Sequence, residues 1–154
     1  MSPMVNDRGP GPLATSGGIM KTEDARRMLE ASRAKANEIG KPVSVAVLDA
    51  AGAIVVLERL NDAPPFTAFV AEGKAAASAI TGRDSSTLKG MSENAPFVFN
   101  TLAARMQGQR FAPHQGAVPV RDSRGDLVGS VGVSGATSEE DEAIARAGAD
   151  AYNA

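Results

Sequence analysis

The only histidine of the chain, His114, lies in the segment Phe111-Ala-Pro-His-Gln-Gly116, between a proline and a glycine that restrict a loop. A neutral imidazole can ligate a haem iron or act as a general base near neutral pH. It cannot build a tetrahedral zinc site here, because such a site needs several ligands and the chain has no second His and no Cys. Two cations carry a second kind of chemistry. Lys74 stands inside the alanine-rich run Glu72-Gly-Lys-Ala-Ala-Ala, and Arg59 ends an apolar segment. Each reads either as a solvated side chain or as a cation that reaches a ligand carboxylate or propionate. Ser134 is the serine nearest His114 with a glycine-rich setting, but Gly132-Val-Ser-Gly135 lacks the G-x-S-x-G elbow of a serine hydrolase.

The glycines are the strongest local signal. Gly129-Ser-Val-Gly132-Val-Ser-Gly135 has the spacing G-x-x-G-x-x-G, which is not the dinucleotide fingerprint. Within a strand, such glycines allow another backbone to approach closely or create a bulge. The competing reading is that Gly132 leaves room beside the sheet for a flat ligand. Gly135, ahead of a helix start at Ser138, offers free N–H groups to an anion, but Glu139, Glu140 and Asp141 oppose one there.

The elements that would position these residues follow from periodicity. A helix is predicted from Thr22 to Ile39, with Thr22 as N-cap, Glu23 and Asp24 in the first turn, and Gly40 as its stop. Val43–Leu48 and Ala53–Leu57 flank the turn Asp49-Ala-Ala-Gly52 and read as a hairpin covered on both faces. Phe66–Ile80 reads as a helix that buries Phe66, Phe69, Val70, Gly73, Ala77 and Ile80, with Thr67, Ala71, Lys74 and Ser78 on the neighbouring stripe. Ser85–Lys89 suggests a helical turn, and Pro96–Met106 a further helix closed by Gly108. A second hairpin, Ala117–Arg121 and Leu127–Val133, turns at Asp122-Ser-Arg-Gly125. The last helix, Ser138 to Tyr152, begins with a capping-box pattern at Thr137 or Ser138 and directs Ala143, Ile144, Ala147 and Ala151 inward. Hairpins interleaved with helices imply an α+β fold around an antiparallel sheet, not a doubly wound parallel one.

Composition bounds the function classes. The 154 residues fit one domain, expected over 20–154 behind a Gly/Pro-rich flexible tail at 1–19. A net charge of −2 without a basic patch argues against a nucleic-acid partner. No apolar run approaches the length of a signal peptide or a membrane span, so a cytoplasmic protein is expected. Aromatic residues are only 4%, while alanine occurs 28 times. Small side chains bury little area each, so subunit association is expected to supplement the core, giving a homo-oligomer.

Three stretches together carry a family resemblance: Gly116-Ala-Val-Pro-Val, Gly125-Asp-Leu-Val-Gly-Ser-Val-Gly-Val-Ser-Gly-Ala and Glu140-Asp-Glu-Ala-Ile-Ala. The Lys74-Ala-Ala-Ala-Ser-Ala helix and the Leu48-Asp-Ala-Ala-Gly turn add to it. The chain resembles the GlcG/HbpS-like haem-binding (haem-degrading-type) family from about Met20 to Ala154. The resemblance implies a three-layer α+β fold with a central antiparallel sheet flanked by helices, and frequent assembly into homo-oligomers. It implies less about function, because members include a haem-binding protein, a protein of the glycolate operon and a domain fused to cobalamin adenosyltransferases. One departure stands out. The family usually has a Pro-Gly-Gly-Val-Pro-like segment where this chain has His114-Gln-Gly-Ala-Val-Pro119, so side chains enter a loop that is usually bare.

Two functions follow as expectations. The first is binding of haem or a related tetrapyrrole, with His114 as axial ligand to the iron, Lys74 and Arg59 on the propionates, and Gln115, Gly116 and Gly132 lining the ligand. The alternative is a cofactor-free catabolic lyase, hydratase or isomerase. There His114 is the general base, and Lys74 or Arg59 holds the carboxylate of a small substrate.

Overall fold

The computed structural model describes residues 19–106 and 111–154. The predicted tail, apart from Ile19, and the predicted stop at Gly108 lie outside them. The element order is α1 (Thr22–Ile39), β1 (Ser44–Asp49), β2 (Ile54–Arg59), α2 (Phe66–Thr81), α3 (Thr87–Asn94), α4 (Pro96–Arg105), β3 (Ala117–Arg121), β4 (Leu127–Ser134) and α5 (Ser138–Asp150), closed by a short 3₁₀ turn. This is an α+β fold built on a four-stranded antiparallel sheet of order β2-β1-β4-β3.

Turn chemistry joins the strands as the residue types require. The Asp49 carboxylate accepts the N–H groups of Ala51 and Ala53, both at 2.9 Å, which folds the first hairpin. Gly52 and Gly125 take φ of +84° and +86°, left-handed values that suit glycine in the two turns. Thr137 caps α5: its hydroxyl accepts from Glu140 N–H while Glu140 accepts from Thr137 N–H, the predicted capping box. The predicted cap of α1 differs. Lys21 is the N-cap, without a side-chain bond, and Thr22 is already helical.

The sheet separates two layers. On one face Val45, Val47, Val131 and Val133 pack with Met28 and Leu29 of α1 and Ile144 and Ala145 of α5. Complete burial of side chains the size of Met28 or Ile144 contributes about 1.5–3 kcal/mol each. α1 and α5 meet where Gly148 sits against Ser32, whose hydroxyl donates to Ile144 O at 2.8 Å. The inward residues of α5 are Asp141, Ile144, Ala145 and Gly148, so Ala143 faces solvent, against expectation.

The other face carries α2, and here the predicted burial holds at Gly73 and Ala77 but not at the large side chains. Phe66, Phe69 and Ile80 are 61%, 52% and 40% exposed, whereas Thr67, Ala71, Lys74, Ala75 and Ser78 are buried. The cause is the glycine strand. A Cβ on Gly132 would lie 2.2 Å from Ala71 O and 2.7 Å from Ala75 N, so the helix backbone rests directly on β4. Only small side chains fit that spacing. Ser130 donates to Ala75 O at 2.7 Å, and Ser44 and Thr67 share a hydrogen bond of 2.8 Å, which satisfies the polar groups of the stripe.

Candidate functional site

Loop 111–116 enters β3 over the N-terminal half of α5. Gly116 takes a φ of +136° and accepts the Val133 N–H at 2.9 Å, extending the β3–β4 ladder by one residue. Immediately beneath it, Lys74 reaches from α2 past the end of β4 to the opposite helical layer. Its ammonium donates to Val133 O and to Asp141 Oδ2, each at 3.0 Å. The two side chains are only 6% and 4% exposed. A Cβ on Gly116 would lie 2.7 Å from the Lys74 nitrogen, so the loop closes over the ion pair only because this residue has no side chain. Lys74 is thus neither solvated nor directed at a ligand carboxylate. An internal carboxylate takes that place, and the expected propionate contact is replaced by this ion pair.

Asp141 also accepts the Ala136 N–H on its other oxygen, at 2.9 Å. The N–H groups considered for an external anion near Gly135 are therefore served from inside the protein. Burial pushes the Asp141 carboxyl above the usual range, opposed by the Lys74 ammonium and the Ala136 N–H. Native Asp141 consequently keeps its proton to higher pH than the unfolded chain does. In that window the native state binds more protons, so this group's contribution to stability falls as pH rises from the ordinary Asp value, about 4, through the raised native one. Asp141→Asn is expected to abolish that slope. Unfolding in urea over roughly pH 4 to 7 tests this, and parallel curves for wild type and variant would contradict it.

The remaining predicted residues spread over one end of the sheet. His114 is exposed, while Phe111, Ala112 and Pro113 around it are partly buried. Phe111 packs against Phe99 of α4 with ring centroids 6.3 Å apart. α4 buries none of its own side chains and leaves Phe97 84% and Val98 56% exposed. An open groove of about 390 Å³ along this helix is lined by Phe97, Asn100, Thr101, Ala104 and Arg105. Arg59 is exposed at the end of the edge strand β2 and donates to Ala63 O at 3.3 Å. In register it faces Ser44, which faces Ser134, so Arg59 and the approach to β3 lie about three strand spacings, roughly 14 Å, apart. Gly132 is not part of this surface. α2 covers it, so the close-approach reading holds and the flat-ligand reading does not.

Two residues escaped the sequence reading. Asp141 resembled an ordinary first-turn acid of α5, and only the topology reveals that it meets Lys74. Glu142, beside it, accepts from Gln115 Nε2 at 3.4 Å and so ties the unusual loop to α5. The i, i+4 spacing of Glu142 and Arg146 was the available signal for a charged strip there.

Comparison with known proteins places this geometry among relatives. Residues 20–150 match the family described as "Haem degrading protein HbpS-like". Protein GlcG of Escherichia coli strain K12 is 30% identical over 116 residues, covering 75% of this chain and 81% of that protein. A double mutant of HbpS from Streptomyces reticuli has a similar structure, with a TM-score of 0.78, 30% identity and 97% coverage of both chains. The haem complex of PduOC shares the fold, with a TM-score of 0.75, 24% identity, and coverage of 87% of this chain and 95% of that one.

Proposed function

The chain belongs to the HbpS-like family, and from that premise we propose that it binds haem or a closely related tetrapyrrole at the loop 111–116, with His114 as axial ligand. The observation that carries this reading is an exposed imidazole on a loop whose neighbours Phe111, Ala112 and Pro113 are apolar and which abuts an aromatic helix. The donor set fits the group. A haem iron needs only one or two axial ligands from the protein, because the porphyrin supplies the rest. The family description, together with the haem complex of a protein of the same fold, supports the ligand class.

In this reading His114 supplies a nitrogen ligand and Gln115 and Gly116 set the height of the loop, while Arg59, at the opposite edge of the sheet, is too distant to meet a propionate. Phe97 and Val98 extend the apolar surface on which a macrocycle can lie. When bound, haem supplies redox and ligand-binding chemistry at its iron, and the chain's part is to orient and shield it. Titration of haemin into the metal-free protein tests this: a saturable Soret band is expected, and a spectrum equal to free haemin at every ratio would overturn the proposal.

We propose in addition that the protein assembles with copies of itself through the outer stripe of α2. Phe66 and Phe69 at the start of α2 and Ile80 at its end stay exposed, and a second copy would cover them. Light scattering should return a mass of two or more chains, reduced in Phe66→Glu. A monomeric mass for the wild type would contradict the assembly. Among the described residues no helix is long and apolar enough to cross a membrane.

A further inference from the structure

The two edges of the sheet are finished differently. Gly116 and Val133 form a hydrogen-bonded pair, so by alternation Ala117, Pro119 and Arg121 turn their backbone groups away from β4. That edge is closed. Ala117 O accepts the Ser85 N–H at 3.0 Å, Ala117 N–H donates to Ser85 Oγ at 2.9 Å, Pro119 has no N–H, and Arg121 O accepts from Asn153 Nδ2 at 2.8 Å. β2 forms the opposite edge. Leu60 N–H donates to Val43 O at 2.8 Å, so Leu57 and Arg59 direct their N–H and C=O groups outward. The strand reads Ile54-Val-Val-Leu-Glu-Arg59, without proline or lysine, and its bulge lies at the hairpin end beside Ile54. Sheets blunt their edges with proline, charge or a covering segment, because an open edge is a template for another strand. This chain does so along the whole of β3 and leaves the run from Val56 to Arg59 open.

We infer that β2 pairs antiparallel with β2 of a second copy across a two-fold axis at Leu57, joining two sheets into one. The inference depends neither on the ligand nor on the contact through α2. Charge selects the partner and the register. The bulge takes Val55 out of register, which leaves Leu57, Glu58 and Arg59 as places for the axis. An axis at Glu58 opposes two carboxylates, and one at Arg59 opposes two guanidinium groups, directly across the ladder, where like charges destabilise. At Leu57, leucine meets leucine, and Glu58, already paired with Arg33 of α1, meets Val56. The helical layer fits the same axis. α1 covers β1 and β2 while α5 covers β3 and β4, one helix to two strands. Packed helices lie about 8–10 Å apart, which matches two strand spacings of roughly 4.8 Å. Joining the β2 edges therefore sets α1 beside the second copy's α1. A groove of about 450 Å³ runs along this flank, lined by Arg26, Leu29 and Glu30 of α1 and by Val56, Leu57 and Glu58. The axis at Leu57 runs level with the middle of the Arg26–Glu30 turn, so Arg26 of each copy faces Glu30 of the other, as a self-complementary surface requires. The loop 111–116 enters β3 at the far edge, so both ligand loops stay clear of the contact.

The sequence has no cysteine, so a single introduced thiol reports the register without background. On the two-fold, the Leu57 Cα atoms form a hydrogen-bonded pair about 5.5 Å apart, inside the roughly 4.4–6.8 Å that a disulfide spans. The Arg59 Cα atoms are offset by four residues, roughly 14 Å apart and beyond that span. Full-length Leu57→Cys and Arg59→Cys are oxidised gently and run on a non-reducing gel, with thermal unfolding in reductant as the check on the fold. Leu57→Cys is expected to link into a covalent dimer and Arg59→Cys to stay a single chain. A second measurement is independent of any strand variant: Arg26→Glu should weaken dimerisation roughly 2- to 30-fold, as two exposed ion pairs per dimer are lost, and Arg26→Glu with Glu30→Arg should restore it. Folded Leu57→Cys that does not link, or Arg59→Cys that links equally well, overturns the pairing. If light scattering then still returns two or more chains, the contact through α2 stands alone. Should Leu57→Cys not fold, the charge exchange decides: weakening followed by recovery upholds the axis, and no recovery in the double variant overturns it.

Discussion

Lys74→Met will lower the unfolding free energy by about 3–5 kcal/mol, the cost typical of removing one partner from a buried ion pair. Two groups lose their counterpart at once. The Asp141 carboxylate keeps its burial without its counterion, and Val133 O loses the ammonium that takes the place of a strand donor. The same nitrogen lies under Gly116, so the loss should also loosen the entry to β3. Adding Asp141→Asn removes the stranded charge while keeping an acceptor for Ala136 N–H. Most of the lost stability should return in the double variant, because a buried ion pair replaced by neutral groups of similar volume is often tolerated. Urea unfolding of both variants provides the measurement. A single-variant loss under about 1 kcal/mol, the range of exposed pairs, would mean the pair is not buried in solution.

The second large effect is expected at Gly132. An added methyl group would overlap Ala71 O and both the nitrogen and Cβ of Ala75, at 2.2, 2.7 and 2.8 Å. Two of these three atoms are helix backbone, so no rotamer change can relieve the contact and α2 must move off the sheet. That shift would open the cluster of Ala46, Leu48, Ala71, Ala75 and Ala76. Gly132→Ala should therefore cost at least the roughly 1–3 kcal/mol typical of an overpacked core. Gly90→Ala is the control. It lies inside α3, where an added Cβ would have Asn94 Nδ2 at 4.0 Å and no closer side chain among the described residues. There, alanine should stabilise by about 0.5–1 kcal/mol through helix propensity. Equal effects at the two positions would show that α2 does not rest on β4 as closely as this fold requires.

These two residues also mark where the sequence was legible and where it was not. Strand and helix positions followed from local signals: Gly40 and Gly82 stop α1 and α2 in left-handed conformations, Thr137 and Glu140 cap α5, and the two Asp-to-Gly turns fold the hairpins. These signals act within a few residues and need no partner to be recognised. The stripe predicted to be buried on α2 holds at Gly73 and Ala77 and fails at Phe66, Phe69 and Ile80, because periodicity marks an apolar stripe without telling whether the opposing surface has room for it. Phe66 and Phe69 look like core until Gly132 brings the sheet too close for an aromatic ring. Lys74 and Asp141 are 67 positions apart and sit on opposite layers, so neither periodicity nor motif spacing could join them. The loop itself was visible, since His114 is the only histidine and is framed by Pro113 and Gly116. Its link to α5 was not, because the Gln115–Glu142 contact depends on where β3 enters the sheet.

His114 is the proposed point where this chain meets its ligand. The most direct measurement is the absorption spectrum of haemin-saturated wild type beside haemin-saturated His114→Ala at the same protein concentration. A shifted or lost Soret band in the variant, with an unchanged unfolding midpoint for the apoprotein, is the predicted result. Identical spectra from the two proteins would contradict it and move the ligand away from the loop.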